Sequence, residues 1–474
     1  MAKDKDKELT LPHQVDGTDF LRSRENAALF DEQGLGKSKQ LIDAVAAEIG
    51  VGKIEGALIV CPNGLKSNWG DEIERFSTLP FAIFGSGQKA RRTTFQSLTA
   101  AFYVINYEAV ASELASLRAL LRFKPMALVL DESHRIKTPD AKVTKALLKL
   151  RNDAKRRFIL TGTPVANKPE DLWSQIFFLD NGEVLGETFQ EFRDRYCTST
   201  GGYKAVDELR DHVSSVSIRR LKDHAIDLPP KRVRRVFVEL SEQQRLMYCE
   251  MRNELELWVR TLDGEQVLKN AEAILARLVR LAQLASNPAL IDADYEEDPG
   301  KFEALDELLS EYMAASDHKI IIWTSFVDNV EALALRYTGH SPVVLHGQMT
   351  NVERDASVHS FRRNEKVRLL VANPAAAREG LTLTEANVAI YVDRTFNLVD
   401  YLQSQDRIHR ISQSQPCEIV LLLAKSTIDE FIDYSLEQKH RLAQFAQSDV
   451  GIVDAADLAL QKPQVLQALL SPAQ

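Results

Sequence analysis

The residues best suited to bind a nucleoside triphosphate lie near the start of the chain, in the stretch DEQGLGKSKQ that begins at Asp31. Gly34 and Gly36 would let backbone N–H groups approach phosphate oxygens at the positive end of a following helix. Lys37 would neutralise the β- and γ-phosphates, and the Ser38 hydroxyl would hold Mg²⁺. The strict phosphate-loop pattern G-x-x-x-x-G-K-[ST] is not met, because Asp31 occupies its first glycine position. Taken alone, the stretch therefore leaves a solvated turn as an equal alternative.

A pair of adjacent carboxylates ends an apolar run further along the chain, in the stretch LVLDESHRIKT. Asp131 would complete the Mg²⁺ shell, and Glu132 would orient and deprotonate the attacking water. A strand that ends in Asp-Glu is common on protein surfaces, so the pair gains its meaning from the phosphate loop that precedes it. Together the two stretches predict an ATP-hydrolysing centre.

Both halves of the chain alternate short β-branched runs with helical stretches, which is typical of parallel sheets with crossover helices. The runs read as strands are, in the first half, 56–61, 102–107, 126–133 and 157–162 and, in the second, 319–326, 342–347, 367–373, 388–393 and 417–424. Between the halves, apolar residues at three- and four-residue spacing predict an amphipathic helix that ends at Asn287-Pro288. We therefore predict an α/β fold of two doubly wound parallel-sheet lobes with a mostly helical segment between them.

Composition and charge narrow the class of protein. With 474 residues, the chain has room for roughly two or three domains. The four cysteines form no C-x-x-C pair, so neither a zinc site nor a disulfide framework is indicated. A net charge of −9 argues against a uniformly basic protein that coats nucleic acid, so any nucleic-acid track must be a local groove. The apolar runs are too short to span a bilayer and the first residues lack a signal sequence, which predicts a cytosolic protein.

Taken together with DESH, the loop DEQGLGKS resembles the Swi/Snf-type ATPases of helicase superfamily two, whose loop reads D-E-x-G-L-G-K-[ST]. Further stretches resemble motifs of that family, in family order and along nearly the whole chain: LPHQVDGTDFL, IVCPNGLKSNW, INYE, LTGTP, LHGQMTNVERDASVHSFR, GLTLTEANVAIYVD and QSQDRIHRISQ. The segment 192–240 resembles, more narrowly, the HepA-related annealing-helicase branch. The resemblance implies a first RecA-like ATP-binding lobe at 1–170, a mostly helical protrusion and inter-lobe region at 171–295, and a second RecA-like lobe at 296–474.

The resemblance also implies roles for single residues. Gln14 would read the adenine, and Gly380 would lie at the nucleotide. Arg407 and Arg410 stand three apart on a presumed helix, share one face, and would reach the γ-phosphate across the cleft as arginine fingers. The residues implied in coupling ATP hydrolysis to DNA are His134, Thr161, Gly162, Thr163, Gln403 and Asp406. The residues implied in holding DNA phosphates are Asn63, Thr161, Thr163, Gly347, Thr382 and Thr384.

The sequence departs from the family pattern at two places: Ser412 replaces the glycine of R-I-G-Q, and Ala377 and Arg378 stand where a Gly-Gly pair is usual. Arg378 could reach a DNA phosphate or the nucleotide, and an ordinary surface arginine is an equal alternative. The basic groups that could strengthen the grip on DNA, or else form solvated surfaces, are Lys231–Arg235, Arg219, Arg220, Arg362 and Arg363.

The resemblance implies a DNA-dependent ATP hydrolase that translocates on double-stranded DNA and remodels forks or anneals strands, with ATP and Mg²⁺ as cofactors. We expect a cytoplasmic monomer, bacterial or phage-encoded, that binds duplex or forked DNA and contacts no membrane. Its targeting would come either from the motor itself or from a separate protein. Two alternatives stay open: a strand-separating helicase or RNA-dependent ATPase, and a nucleotide-switched DNA-binding protein. The complete set of Lys37, Asp131, Glu132, Arg407 and Arg410 argues against a pure switch, which needs no hydrolytic centre.

Overall fold

The structure, a computed structural model, describes residues 10–96, 99–165, 168–198, 204–314, 318–378 and 381–446. This part of the chain forms two compact units, of which the first extends to Asp227 and the second runs from Leu228 to His440. Among the residues described, no helix is long and apolar enough to cross a membrane. Each unit is built around its own parallel sheet.

The first unit contains a seven-stranded sheet. Its strands are β1 (Asn26–Leu29), β2 (Gly56–Cys61), β3 (Phe81–Ile83), β4 (Phe102–Asn106), β5 (Met126–Asp131), β6 (Arg156–Leu160) and β7 (Ser217–Ile218). They lie in the order β3-β4-β2-β5-β6-β1-β7, with parallel pairing throughout. The helices of this unit are α1 (Pro12–Arg22), α2 (Lys37–Gly50), α3 (Leu65–Phe76), α4 (Gln88–Gln96), α5 (Tyr107–Val110), α6 (Leu114–Phe123), α7 (Lys142–Leu150), α8 (Trp173–Asp180), α9 (Phe189–Tyr196), α10 (Val206–Val216) and α11 (Lys222–Ala225).

The central strands of the first sheet are buried on both faces, which is why they read as continuous apolar runs. All of β2 is buried, and so is β5 up to its last residue, Asp131. Because β5, β6 and β1 are parallel neighbours, their carboxyl ends meet at one edge of the sheet. The loop DEQGLGKS follows β1, DESH spans the end of β5, and LTGTP spans the end of β6. The topology therefore brings these three motifs together.

The second unit contains a six-stranded parallel sheet. Its strands are β8 (Lys231–Val238), β9 (Ile320–Trp323), β10 (Val343–Leu345), β11 (Leu369–Ala372), β12 (Val388–Tyr391) and β13 (Cys417–Ala424). They lie in the order β10-β11-β9-β12-β13-β8. The helices of this part are α12 (Glu242–Arg260), α13 (Gly264–Lys269), α14 (Ala271–Ser286), α15 (Gly300–Ala314), α16 (Val327–Arg336), α17 (Asn351–Arg363), α18 (Leu398–Gln405) and α19 (Ile428–Ala446).

Both faces of the second sheet are covered, because alternate residues of one strand belong to two different core clusters. In β9, Ile320 and Ile322 pack into one cluster, whereas Ile321 and Trp323 pack into the other. Successive side chains of a strand point to opposite faces. The predicted fold class, two doubly wound parallel-sheet lobes, is confirmed.

All the strands predicted from the sequence are present, and those at 56–61 and 417–424 match in full. Four strands were not predicted: β1, β3, β7 and β8. The first three span only two to four residues, too few to show a period. The fourth, β8, begins with the basic group Lys231–Arg235, whose charges obscure the apolar pattern by which a strand is recognised in a sequence.

The sequence leaves the basic group in β8 as either a grip on DNA or a solvated surface, and the structure pairs two of its arginines with acidic residues. The strand lies at the edge of the second sheet and pairs with β13 over eight residues. Arg235 Nε lies 2.8 Å from Asp433 Oδ2, and an Arg234 guanidinium nitrogen lies 3.6 Å from Glu311 Oε2. These two charges are thus paired within the unit. Charged side chains on an edge strand also discourage pairing with another chain.

The middle segment, 171–295, is mostly helical but contributes a strand to each sheet. It supplies β7 to the first sheet and β8 to the second, and the two compact units divide it at Asp227. A segment that completes both sheets is more than an insertion between them. The limits 1–170, 171–295 and 296–474 stay a prediction for the functional domains.

Candidate active site

The predicted phosphate loop connects β1 to α2 and contains two left-handed glycines. Gly34 has φ 90° and Gly36 has φ 76°, values that glycine adopts without the steric cost of a Cβ atom. Gly36 directly precedes α2, so the loop ends at the positive end of a 14-residue helix. The Nζ atom of Lys37 donates to the backbone oxygens of Asp31 at 2.8 Å and Glu32 at 3.2 Å. The lysine is thus held over the loop by the loop's own carbonyls.

Gln14 packs directly against this loop. A Cβ atom built on Gly36 would lie 2.5 Å from Gln14 Nε2, so the Gln14 amide lies against the loop backbone, and the positive φ of Gly36 favours glycine there. The other end of the Gln14 amide accepts the backbone N–H of Leu11 at 3.2 Å and caps α1. The structure therefore brings the predicted adenine-reading residue to the predicted phosphate loop. Its contact with a base stays a prediction.

The carboxylate of Asp131 ends β5 with both oxygens hydrogen-bonded. Oδ1 accepts the backbone N–H of Glu132 at 2.9 Å, and Oδ2 accepts the indole N–H of Trp69 at 2.8 Å. Burial, followed by the negative charge of Glu132, raises the pKa of Asp131 to about 7, whereas the charge of Lys37 acts in the opposite sense. A carboxylate whose charge is disfavoured in this way suits a cation.

The part of the chain described contains no group of three or more His, Cys, Asp or Glu residues that could hold a metal ion. Magnesium is typically bound by one or two carboxylates together with substrate phosphates and water, and not by an all-protein cage. Asp131 and the Ser38 hydroxyl stay the predicted ligands of a Mg²⁺ ion that arrives with a nucleotide.

Glu132 has a strained backbone that directs its side chain toward the phosphate loop. Its φ and ψ are both 51°, in the left-handed region that residues other than glycine rarely adopt. Glu132 Oε1 accepts the Gln33 amide at 3.4 Å, and Oε2 lies 3.3 Å from His134 Nδ1 and 3.4 Å from Thr161 Oγ1. Strain of this kind persists only where surrounding contacts hold it and is often found at functional sites.

The LTGTP stretch joins the carboxylate motif to the phosphate loop. Thr161 Oγ1 lies 3.1 Å from His134 Nδ1 and accepts the backbone N–H of Thr163 at 3.1 Å. A Cβ atom on Gly162 would lie 2.6 Å from Gln33 Cγ, so this glycine packs against the loop. The structure thus brings together the predicted coupling residues of the first unit.

Thr161 and Thr163 were also predicted to hold DNA phosphates. Thr161 is fully buried and Thr163 is 7% exposed. Their burial supports the coupling role and does not support direct contact with DNA, which stays a prediction. Asn63, which follows β2, and Gly347, which follows β10, are exposed and free to meet a ligand from solvent.

The two predicted arginine fingers lie beyond a helix and not on it, which corrects the sequence prediction. α18 ends at Gln405, and the chain then forms turns in which Ile408 and His409 donate to the Gln405 carbonyl. Because the helix stops, the spacing of Arg407 and Arg410 does not place them on one helical face. Their association has a different cause.

Both arginines contact the stretch GLTLT. Arg407 is 3% exposed, and its guanidinium donates to the backbone oxygens of Gln403 and Leu381, both at 2.9 Å. Arg410 donates to Thr382 Oγ1 at 2.8 Å. Ser412, which replaces the expected glycine, shares a hydrogen bond of 2.8 Å with Thr384. Of the predicted residues, Gln403 and Thr382 therefore contact the two arginines directly, whereas Thr384 contacts Ser412.

Some predictions fall outside what the structure describes. Gly380 is not among the described residues, and neither is the side chain of Arg378. Arg362 forms an ion pair with Glu385 at 2.9 Å. Arg219 and Arg220 contact partners inside the first unit, the Phe30 carbonyl and the carboxylate of Asp31 respectively; a grip on DNA by either stays a prediction.

Sequence reasoning missed several residues that hold the site. The indole of Trp69 and the hydroxyl of Tyr107, which donates to the Asp131 backbone oxygen at 2.7 Å, both secure the end of β5. They lie in IVCPNGLKSNW and INYE, two of the stretches that resemble motifs of the family. Arg220 was missed although Asp31, a charge in place of a loop glycine, signals the need for a buried partner.

Comparison with known proteins gives matches along most of the chain. A family model described as SNF2-related domain matches residues 13–290, and one described as helicase conserved C-terminal domain matches residues 300–412. Chromodomain-helicase-DNA-binding protein 1-like of Danio rerio is 29% identical over 91% of this chain and 43% of its own length. Putative ATP-dependent helicase/translocase YwqA of Bacillus subtilis is 29% identical over 96% of this chain and 51% of its own length.

A third relative, SWI/SNF-related matrix-associated actin-dependent regulator of chromatin subfamily A member 1 of Homo sapiens, is 27% identical over 94% of this chain and 44% of its own length. The chain thus spans about half the length of these relatives, or less. Among solved structures, the Sulfolobus solfataricus SWI2/SNF2 ATPase core in complex with dsDNA is 27% identical, with a TM-score of 0.45, over 100% of this chain and 99% of that one.

Proposed function

Because the chain belongs to the SNF2-related family of helicase-like ATPases, we propose that it hydrolyses ATP in response to DNA and translocates along the duplex. One observation carries the proposal: the Glu132 carboxylate lies within hydrogen-bonding distance of Gln33 in the phosphate loop and of Thr161 in LTGTP. A base placed between the loop and a coupling segment suits hydrolysis that depends on a second ligand. DNA is the ligand named for relatives of this chain.

In this proposal the first unit binds the nucleotide. Gln14 takes the adenine, the N–H groups of the loop from Gly34 onward take the phosphates, and Lys37 leaves its carbonyl partners to neutralise the β- and γ-phosphates. Mg²⁺, held by Ser38 and Asp131, supplies charge neutralisation at the phosphates. Glu132 accepts the proton of the attacking water.

The hydrogen bonds around Glu132 provide the proposed link to DNA. His134 and Thr161 both reach its carboxylate, and Thr161 also holds the backbone of Thr163. A shift of the LTGTP stretch would therefore move the base. We propose that DNA favours the arrangement in which Glu132 faces the water. A ligand shifts such an equilibrium only through its different affinity for the two arrangements.

Arg407 and Arg410 remain proposed arginine fingers, whose charge would stabilise the departing phosphate. The track would be duplex or forked DNA, held through its phosphates at Asn63, Gly347 and Thr382, so that sequence preference is weak. Fork remodelling or strand annealing, a monomeric state and a separate targeting protein belong to the same proposal.

The testing experiment is ATP turnover at low salt without nucleic acid and then with single-stranded DNA, duplex DNA, forked DNA and RNA. Lys37→Ala serves as the blank, because it removes the phosphate-binding charge and leaves the loop glycines intact. Stimulation by duplex or forked DNA supports the proposal. Stimulation by RNA alone contradicts it in favour of the RNA-dependent ATPase, and turnover that no nucleic acid changes favours the nucleotide-switched binding protein.

Translocation needs its own measurement, since a stimulated ATPase need not move. Displacement of a third strand from a triplex reports movement along duplex DNA without separation of its strands. Displacement of the triplex strand with duplexes left paired supports the translocase. Efficient separation of a blunt duplex indicates the strand-separating helicase instead.

A further inference from the structure

The first position of the phosphate loop carries a fully buried carboxylate, that of Asp31. A buried charge is costly unless it is paired and hydrogen-bonded. Arg220 supplies the pair: its Nε lies 2.9 Å from Oδ1 of Asp31, and a terminal nitrogen lies 2.5 Å from Oδ2. The Gln40 amide donates to Oδ2 at 3.1 Å. The carboxylate is therefore bound by a two-pronged guanidinium contact, a geometry that fixes orientation as well as charge.

The same guanidinium connects three elements of the nucleotide site. Beyond Asp31, it donates to the backbone oxygen of His13 in α1 and to Gln40 Oε1, at 2.8 Å, in the first turn of α2. His13 directly precedes Gln14, and His13 Nε2 lies 3.0 Å from the loop carbonyl of Leu35. One side chain thus ties the adenine-reading helix, the loop and the start of α2 together.

The residues around Arg220 hold the second carboxylate of the loop in a similar way. Glu32 accepts the backbone N–H of Lys222 at 2.8 Å, and its Oε1 lies 3.8 Å from Lys222 Nζ. The backbone N–H of Glu32 donates to the Arg220 carbonyl at 3.0 Å, and that of Phe30 donates to Ile218 at 2.9 Å. The segment 218–222 therefore runs beside residues 30–32 and binds both acidic side chains before GLGK.

These contacts bear on Lys37 because its ammonium is bound by the carbonyls of the same two acidic residues, Asp31 and Glu32. If the side chain of Asp31 is released, its carbonyl is no longer fixed, and neither is the resting position of Lys37. Misplacement of a binding group by about an ångström can lower catalytic efficiency roughly a hundredfold.

We propose that Arg220 is a positioning residue of the phosphate loop: its buried pair with Asp31 fixes the loop backbone, and so Lys37, in the form that accepts a triphosphate. The role rests on the proposed ATPase function and deepens it. In a strict phosphate loop, a glycine at the first position gives the backbone its conformational freedom. Here an aspartate stands at that position, and its ion pair with Arg220 fixes the backbone instead. Arg220 does so from the segment that leads out of the first unit, which ends at Asp227.

The test compares Arg220→Gln with a matched variant at the other end of α2. Arg156 forms a buried ion pair with Glu48, with a guanidinium nitrogen 2.6 Å from Oε2, far along the helix from the loop. Both substitutions take an arginine from a buried carboxylate and should lower the melting temperature, although Glu48 keeps Lys53 at 3.4 Å and Arg22 at 3.9 Å. Only Arg220→Gln should weaken the binding of a fluorescent ATP analogue, by roughly tenfold to a hundredfold.

Two further variants keep the test informative if Arg220→Gln folds poorly. Arg220→Lys keeps the charge without the two-pronged contact, so its affinity for the analogue should fall between those of wild type and Arg220→Gln. Asp31→Asn with Arg220→Gln removes both charges, and its loss of affinity should be smaller than the product of the two single losses.

The outcomes separate this inference from the proposed function. Equal affinity for the analogue in wild type, Arg220→Gln and Arg220→Lys, with DNA-stimulated turnover intact in the wild type, would show that Arg220 is only structural. An equal loss of affinity in Arg156→Gln would give the same answer. Failure of the wild type to bind the analogue would overturn the ATPase proposal and this inference with it.

Discussion

The indole N–H of Trp69 donates a 2.8 Å hydrogen bond to Oδ2 of Asp131, 62 residues away in sequence. Trp69 is 1% exposed and packs in the core between α3 and the first sheet, so the position of the N–H is set by that core. The hydrophobic core therefore determines the orientation of the carboxylate proposed to hold Mg²⁺. A fixed partner of this kind commonly tunes the affinity of a metal ligand.

We expect Trp69→Phe to raise the Mg²⁺ concentration needed for half-maximal ATP turnover by roughly tenfold, because the carboxylate loses its fixed donor. Titration of turnover with MgCl₂ at saturating ATP measures the change. Trp173→Phe is the matched control, since Trp173 is 5% exposed and its N–H donates to the Gly186 carbonyl at 3.1 Å. The same shift in both variants would contradict a specific role of Trp69.

The raised pKa of Asp131 predicts how stability depends on pH. Burial, and then Glu132, raise this pKa to about 7, whereas an aspartate in an unfolded chain titrates at about 4. Between these values the folded chain binds a proton that the unfolded chain does not. The free energy of unfolding therefore falls as pH rises through this window.

Asp131→Asn cannot ionise, so its stability relative to the wild type should increase by about 2 kcal/mol between pH 5 and pH 8. Urea denaturation in the presence of a chelator, without nucleotide, measures this difference at each pH. Loss of a hydrogen bond in the variant adds an offset that does not vary with pH. A constant difference across the range would contradict the raised pKa.

The left-handed backbone of Glu132 predicts an unusual order of stability. Glycine adopts a positive φ freely and alanine does not, so Glu132→Gly should be more stable than Glu132→Ala by about 1 kcal/mol. Both variants should lack ATP turnover, because the base is gone. Thermal unfolding measures the order, and the same pair of substitutions at Lys145, exposed within α7, should give the reverse order. Alanine as the more stable variant at position 132 would show that the strain is absent.

Thr161→Val should separate nucleotide binding from the response to DNA. The substitution keeps the shape of the side chain but removes the hydroxyl that contacts Glu132, His134 and Thr163. We expect unchanged affinity for an ATP analogue and a loss of DNA stimulation of roughly tenfold. Thr144→Val is the control, because Thr144 is also fully buried and its hydroxyl donates to the Ile136 carbonyl at 3.4 Å. Full DNA stimulation in Thr161→Val would remove Thr161 from the coupling path.

Arg407 and Arg410 should differ in stability although they share a proposed role. Arg407→Ala leaves the carbonyls of Gln403, which is buried, and of Leu381, which is half-buried, without this donor, at a cost of about 2 kcal/mol. Arg410→Ala frees a half-buried hydroxyl and should cost little. Turnover should fall by roughly 10³-fold in both. Urea denaturation and turnover assays measure the two effects. Wild-type turnover in Arg410→Ala would exclude it as an arginine finger.

How much the sequence predicted depends on how local each feature is. The glycines and lysine of the loop, and the carboxylates at the end of β5, follow from short patterns with a chemical reason. The structure places them at the carboxyl ends of β1 and β5, with β6 between the two strands. The two doubly wound lobes could be predicted because their buried strands form apolar runs that are long enough to be recognised in the sequence. The strands β1, β3 and β7 were missed because a few residues cannot show a period.

The contacts that hold the site could not be predicted, because they join distant positions. Arg220 and Asp31 are 189 residues apart, and nothing in either local pattern names the other. The prediction that Arg407 and Arg410 lie on a helix was wrong, because α18 ends at Gln405. Sequence patterns rarely fix the last residue of a helix. Four of the basic residues offered as DNA contacts, Arg220, Arg234, Arg235 and Arg362, are paired with acidic groups inside their unit.

The edge strand β8 has a consequence for the synthesis of the chain. Lys231 of β8 pairs with Cys417 of β13. The ribosome therefore makes nearly the whole second unit before the partner strand of β8 is available. Until then the ribosome presents an unpaired strand whose Val233 and Phe237 remain 46% and 52% exposed even in the folded protein. Arginines at positions 232, 234 and 235 interrupt this apolar pattern, and charges so placed protect nascent strands from aggregation. We therefore expect the arginines of β8 to lower aggregation of the chain while β13 is still being made.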